Sequence, residues 1–162
     1  MKLNPGLVIV GGLLGTPIMT ALIYVLAPLM GVKMDLVEML AETLGGWRMG
    51  MLVHIFNGAI IFPLLFVFVF YRLLAGPGWL KALSFGVLLW LASQLIALPL
   101  MGAGLFSTRA GGASTVAVLL AGHLAYGGLL GLFATIAERE RSSPRKDETT
   151  SPWIPNRLRR SS

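Results

Sequence analysis

Charged residues leave four long gaps along this chain, at 3–32, 49–71, 82–108 and 110–137, of 30, 23, 27 and 28 residues. Crossing a hydrocarbon core of ~30 Å as a helix takes about 20 apolar residues at ~1.5 Å each. Every gap is long enough. The pattern predicts an all-α membrane protein, a four-transmembrane-helix bundle with spans at about 6–30, 50–73, 79–101 and 113–137. Residues 1–137 then form the membrane domain and 138–162 a disordered basic tail.

The segments between the spans have patterns of their own. On a helical wheel Asp35, Glu38 and Glu42 fall within about 60° of one another, with Leu36, Val37, Leu40 and Leu44 opposite. This predicts a short amphipathic helix at about 33–44, ended by Gly45-Gly46 and lying in the interface beside Trp47. Gly76-Pro77-Gly78 marks a tight turn, followed by Trp79 as a second interfacial anchor. The glycines between Gly102 and Gly112 follow no strand and carry no Lys-Ser/Thr, so a phosphate-binding loop is not supported.

Composition agrees and narrows the class. Of 162 residues, 56% are hydrophobic and 12% charged, about half the charge of a soluble domain. That excludes a soluble globular domain, and four gaps exclude a single anchor. With no cysteine there is no disulfide, thiolate nucleophile or iron–sulfur site. The net charge of +6 does not point to nucleic acid, because basic and acidic residues interleave in a tail broken by prolines. Anionic headgroups are the expected neighbour.

Four spans put Lys2, Arg72, Lys81 and seven tail bases on one side of the membrane, against Lys33, Arg48 and Arg109 on the other. Ten against three places both termini in the cytoplasm. The apolar run from Gly6 to Met30 exceeds a signal-peptide core and lacks a clean cleavage site, so it reads as an uncleaved first span.

Two offsets suggest an internal repeat. A shift of 71 aligns Gly15 with Gly86 and Pro28-Leu29-Met30-Gly31 with Pro99-Leu100-Met101-Gly102; a shift of 69 aligns His54 and Gly58 with His123 and Gly127. The reading is one two-helix hairpin used twice, in parallel orientation. Gly11 and Gly15 in span 1, and Gly127 and Gly131 in span 4, strip side chains from one helix face each. Packing of these two faces on each other within the chain is expected, with Gly58 as a further close contact.

The polar groups inside the spans are His54, Asn57, Ser93, Gln94, His123 and Tyr126. His54 and Asn57 share a helix face, as do His123 and Tyr126, each pair three residues apart. By residue count His54 lies roughly 5 Å and His123 roughly 10–14 Å below the outer interface. An intramembrane ionisable group faces protein, water or ligand, because lipid does not solvate it. The leading reading has both histidines neutral and bonded across helices, to Asn57, Gln94 or Tyr126. The alternatives are axial ligation of a b-type haem by His54 and His123, or a proton or metal relay. Two imidazoles alone under-ligate a transition metal, so no metal site is assigned. Pro17, Pro63 and Pro99 read as kinks; matched interruptions at a transport site are not evident.

The runs Pro99-Leu100-Met101-Gly102-Ala103-Gly104-Leu105-Phe106 and His123-Leu124-Ala125-Tyr126-Gly127, the acidic loop at 34–44, and His54 with Gly58 together resemble a bacterial family. Its members are small four-span membrane proteins classed as a domain of unknown function. Over about 6–135 the resemblance implies the four-helix architecture and a bacterial inner membrane. It implies no activity or cofactor. With no complete acid, base and nucleophile in the spans, the expectation is a non-enzymatic accessory or interaction component. It would associate with the bilayer and with a second copy or another membrane protein. A haem b electron carrier and an oligomeric small-solute transporter are the alternatives.

Overall fold

The structure, a computed structural model, describes residues 3–32 and 35–142. Positions 33 and 34 of the predicted amphipathic helix and the tail from 143 onward lie outside the described residues. Among the described residues the fold is all-α, with four helices long and apolar enough to cross a membrane. These are α1 (Pro5–Leu29), α3 (Trp47–Leu73), α4 (Gly78–Leu100) and α5 (Ala113–Ser142), and α2 (Leu36–Leu44) is the short one.

Local signals explain the helix ends. Asn4 caps α1 by accepting from Gly6 N at 3.0 Å, with Pro5 in the first turn where its missing N–H costs nothing. Asp35 caps α2 through Glu38 N at 3.0 Å, and Gly45 and Gly46 close it by donating to Ala41 O. One boundary differs from expectation. Residues 138–142 continue α5 instead of opening a disordered tail. Glu138 and Arg141 sit three apart, no proline intervenes before Pro144, and the Tyr71 hydroxyl donates to Glu138 Oε1 at 2.5 Å. Lys81 joins the same knot, 2.9 Å from Tyr71 O and 4.1 Å above its ring.

The main seam is α1 on α5, followed by α4 on α5 and α1 on α3. By contrast, α3 and α4 meet mainly near the turn that joins them, through Phe66–Leu73. There Phe66 and Phe70 stack against Phe85 at 5.4 and 5.0 Å, filling the gap with aromatic volume. Farther along, small residues replace the aromatics: Asn57 and Gly58 on α3, and Ala92, Ser93 and Ala97 on α4. The two helices therefore part toward the end that carries α2.

Glycine contacts correct one expectation. Gly11 and Gly15 do pack on α5, but against Leu130, Phe133 and Tyr126. Gly127 and Gly131 face the other way, onto Ala82, Leu83 and Gly86, and onto Trp79 of α4. A single helix squeezed between two neighbours needs small residues on the side where backbones touch and large ones on the side facing another helix's glycines. Gly58 meets Thr16 and the Gly12 backbone turn of α1.

Candidate functional site

The parted helices enclose an apolar cavity of about 310 Å³, in the range of small-molecule sites. Met19 of α1 and Leu119, His123 and Tyr126 of α5 form its floor; His54 and Asn57 of α3 and Ser93 of α4 add polar groups. Ala92, Ile96 and Ala97 also line it and are exposed, so the cavity opens sideways between α3 and α4. Leu40 of α2 lines the end. Beside Leu40, Met39 packs against the core and Ala41 is buried, while Glu38 and Glu42 are exposed.

The helices on either side of the opening carry the same irregularity. In α3 a π turn at Asn57–Ile61 precedes Pro63; in α4 a π turn at Ser93–Ala97 precedes Pro99. Each proline removes an N–H, and the wider turn re-routes the ladder before it. Phe62 N donates to Asn57 O, and Pro63 has no hydrogen to give, so Gly58 O is left without a main-chain donor. The Tyr126 hydroxyl supplies one at 2.6 Å. Sequence matching by repeat offset missed this pairing of Pro63 with Pro99. The two correspond by their place beside the cavity, not by alignment.

His54, Asn57, His123 and Tyr126 are thus brought to one place, from 3 to 72 residues apart in sequence. Their bonds differ from those expected. His54 Nε2 pairs with Thr20 Oγ1 of α1 at 2.9 Å, and His123 Nδ1 with Leu119 O of its own helix at 2.7 Å. Gln94 lies elsewhere. Fully buried, it accepts from Ser107 Oγ at 3.0 Å and pins the 101–112 loop, where Phe106 and Ser107 adopt left-handed φ of 47° and 55°. Its Nε2 is the buried side-chain atom without a partner among the described residues. Thr16, Thr20 and Ser107 escaped the sequence reading. A threonine four residues after another on one span, each back-bonding a carbonyl, was the available signal for Thr20.

For a haem, His123 has the usual arrangement, Nδ1 on a carbonyl and Nε2 left over, but His54 has Nε2 engaged by Thr20. Ligation by both would require His54 to release Thr20 or turn its other nitrogen to the iron. Among the described residues no three His, Cys, Asp or Glu side chains converge as a metal site. A second hollow at the α2 end sets Arg109 opposite Asp35, Glu38 and Glu42.

Compared with known proteins, residues 4–145 match a family of unknown function, DUF6789. No curated protein and no solved structure matches the chain.

Proposed function

Since the chain belongs to the DUF6789 family, whose function is unknown, its own geometry has to speak, and we propose a non-enzymatic membrane component that binds an apolar molecule from the bilayer. The observation that carries this is the sideways opening between α3 and α4, lined by exposed Ala92, Ile96 and Ala97 and backed by imidazole and amide groups. A molecule diffusing in the membrane reaches such a site without crossing water. The protein works by association, with the bilayer as its surroundings and a second copy or another membrane protein as its partner. The ten-to-three distribution of bases supports cytoplasmic termini, and the resemblance of its motifs supports a bacterial inner membrane.

The same reading takes the chain as one hairpin used twice. Gly58 packs on Gly12 and Thr16, and Gly127 on Ala82, Leu83 and Gly86, which a shift of 71 maps to 11, 12 and 15. Under this repeat the tight α1–α5 seam corresponds to the α4–α3 seam, closed in one copy and open in the other. Thr20 maps to Leu91, so His123 finds no hydroxyl on α4 and turns to its own backbone.

An alkyl diazirine photolabel in proteoliposomes tests the binding reading. Labelling is expected to concentrate on Val53, Ala92 and Ile96, and to be lost in Ala97→Phe, which blocks the mouth at an exposed position. Labelling spread evenly over lipid-facing residues such as Leu29, Leu52 and Leu100 would sink it. Solute transport is the second reading, favoured by the paired π turns, which give both flanking helices a point of bending. Substrate-dependent flux into proteoliposomes is its test.

A further inference from the structure

Each histidine of the cavity uses its N–H inside the protein. A neutral imidazole carries one N–H and one bare nitrogen, and an unpaired imidazolium would be an isolated charge in an apolar span. His123 Nδ1 lies 2.7 Å from Leu119 O, and a carbonyl cannot donate. The hydrogen is therefore on Nδ1, and Nε2 holds the lone pair. For His54 the same follows in two steps. Thr20 Oγ1 donates its single hydrogen to Thr16 O at 2.8 Å, so it can only accept from His54 Nε2 at 2.9 Å. That leaves Nδ1 of His54 bare.

The hydroxyls follow suit. Tyr126 donates to Gly58 O, Ser93 to Trp90 O at 2.7 Å and Thr16 to Gly12 O at 2.8 Å, so their oxygens offer the cavity lone pairs only. Asn57 is the exception. Among the described residues nothing pairs with its amide, which keeps its donors. The cavity is a wall of acceptors with one donor group in it.

Resting on the proposed binding of an apolar molecule, we infer that the occupant is a hydroxyl-bearing lipophile, a phenol or alcohol with an apolar body. Its O–H donates to a bare imidazole nitrogen and its oxygen accepts from the Asn57 amide. An ether or ester head would set lone pair against lone pair at the histidines and gain only the Asn57 bond.

The test compares two probes on the full chain in phosphatidylcholine nanodiscs, with empty discs as background: 4-octylphenol and its methyl ether, 4-octylanisole. The phenol is expected to bind about tenfold more tightly, the worth of one well-made hydrogen bond. With His54→Phe and His123→Phe combined the phenol-to-ether ratio should fall toward one, whereas Asn57→Leu should weaken both probes and leave the ratio unchanged. A ratio taken on one preparation does not depend on how much of a variant folds. Equal affinity of the wild-type protein for the two probes overturns the hydroxyl inference and leaves lipophile binding standing. An unchanged ratio in the histidine variant overturns the assignment of the acceptors, and unchanged affinity of both probes for Asn57→Leu overturns that of the donor. No binding of either probe above empty discs removes the cavity reading itself, and this inference with it.

Discussion

Gly127→Leu is expected to cost about 3 kcal/mol of stability or more, whereas Gly128→Leu, one residue along, should stay within about 0.5 kcal/mol. A Cβ at 127 would lie 2.8 Å from Ala82 O, 3.2 Å from Leu83 Cα and 3.3 Å from Gly86 Cα. All three are backbone atoms, so relief means moving α4 bodily away from α5. At 128 a Cβ meets nothing within 4 Å. Lipid holds hydrocarbon as readily as protein does, so helix association here depends on close packing and internal hydrogen bonds. Separating α4 from α5 removes both, Trp90 Nε1 to Val116 O at 3.1 Å included. Thermal unfolding in detergent, followed by circular dichroism, reads the difference. Equal midpoints for the two variants would mean that the α4–α5 contact is not what holds the bundle.

Tyr126→Phe comes second, at about 1–2 kcal/mol. It strips the donor from Gly58 O, a carbonyl already deprived of its main-chain partner by Pro63 and the π turn. The cost should therefore depend on Pro63. Restoring an N–H with Pro63→Ala gives Gly58 O a partner from its own chain, so Tyr126→Phe should cost less in that background. A double-mutant cycle measures the coupling. Strict additivity would show that the tyrosine hydroxyl is not standing in for the missing amide.

These two sites also show what could be read in advance. Gly127 differs from Gly128 in sequence by having a glycine, Gly131, four residues on; only the position of α4 tells what that face packs against. Gly11 and Gly15 were legible as a packing face because Gly at i and i+4 clears one side of a helix whatever lies beyond it. Their partner was not legible. The sequence suggested glycine against glycine, and the fold sets glycine against Tyr126, Leu130 and Phe133. The two histidines stood out because imidazoles are rare in spans, but their bonds run to Leu119 O, a group with no mark of its own, and to Thr20, marked only by its place four residues after Thr16.

The number of long helices and where each begins and ends to within a few residues, the end of α5 excepted, were determined by the sequence alone, since bilayer thickness sets a span length and charge interrupts it. So were the capped ends at Asn4, Asp35 and Gly45, because a cap depends on residues two to four positions away. Only the tertiary structure decided which pair of helices stays open. That depends on volumes at facing positions far apart in the chain: Phe66, Phe70 and Phe85 at one end, Gly58, Ala92 and Ala97 at the other. It decided, too, that His54, Asn57, Ser93, His123 and Tyr126 share one cavity while Gln94 does not. A helix face is written locally, every three to four residues, but what it faces is a matter of three dimensions.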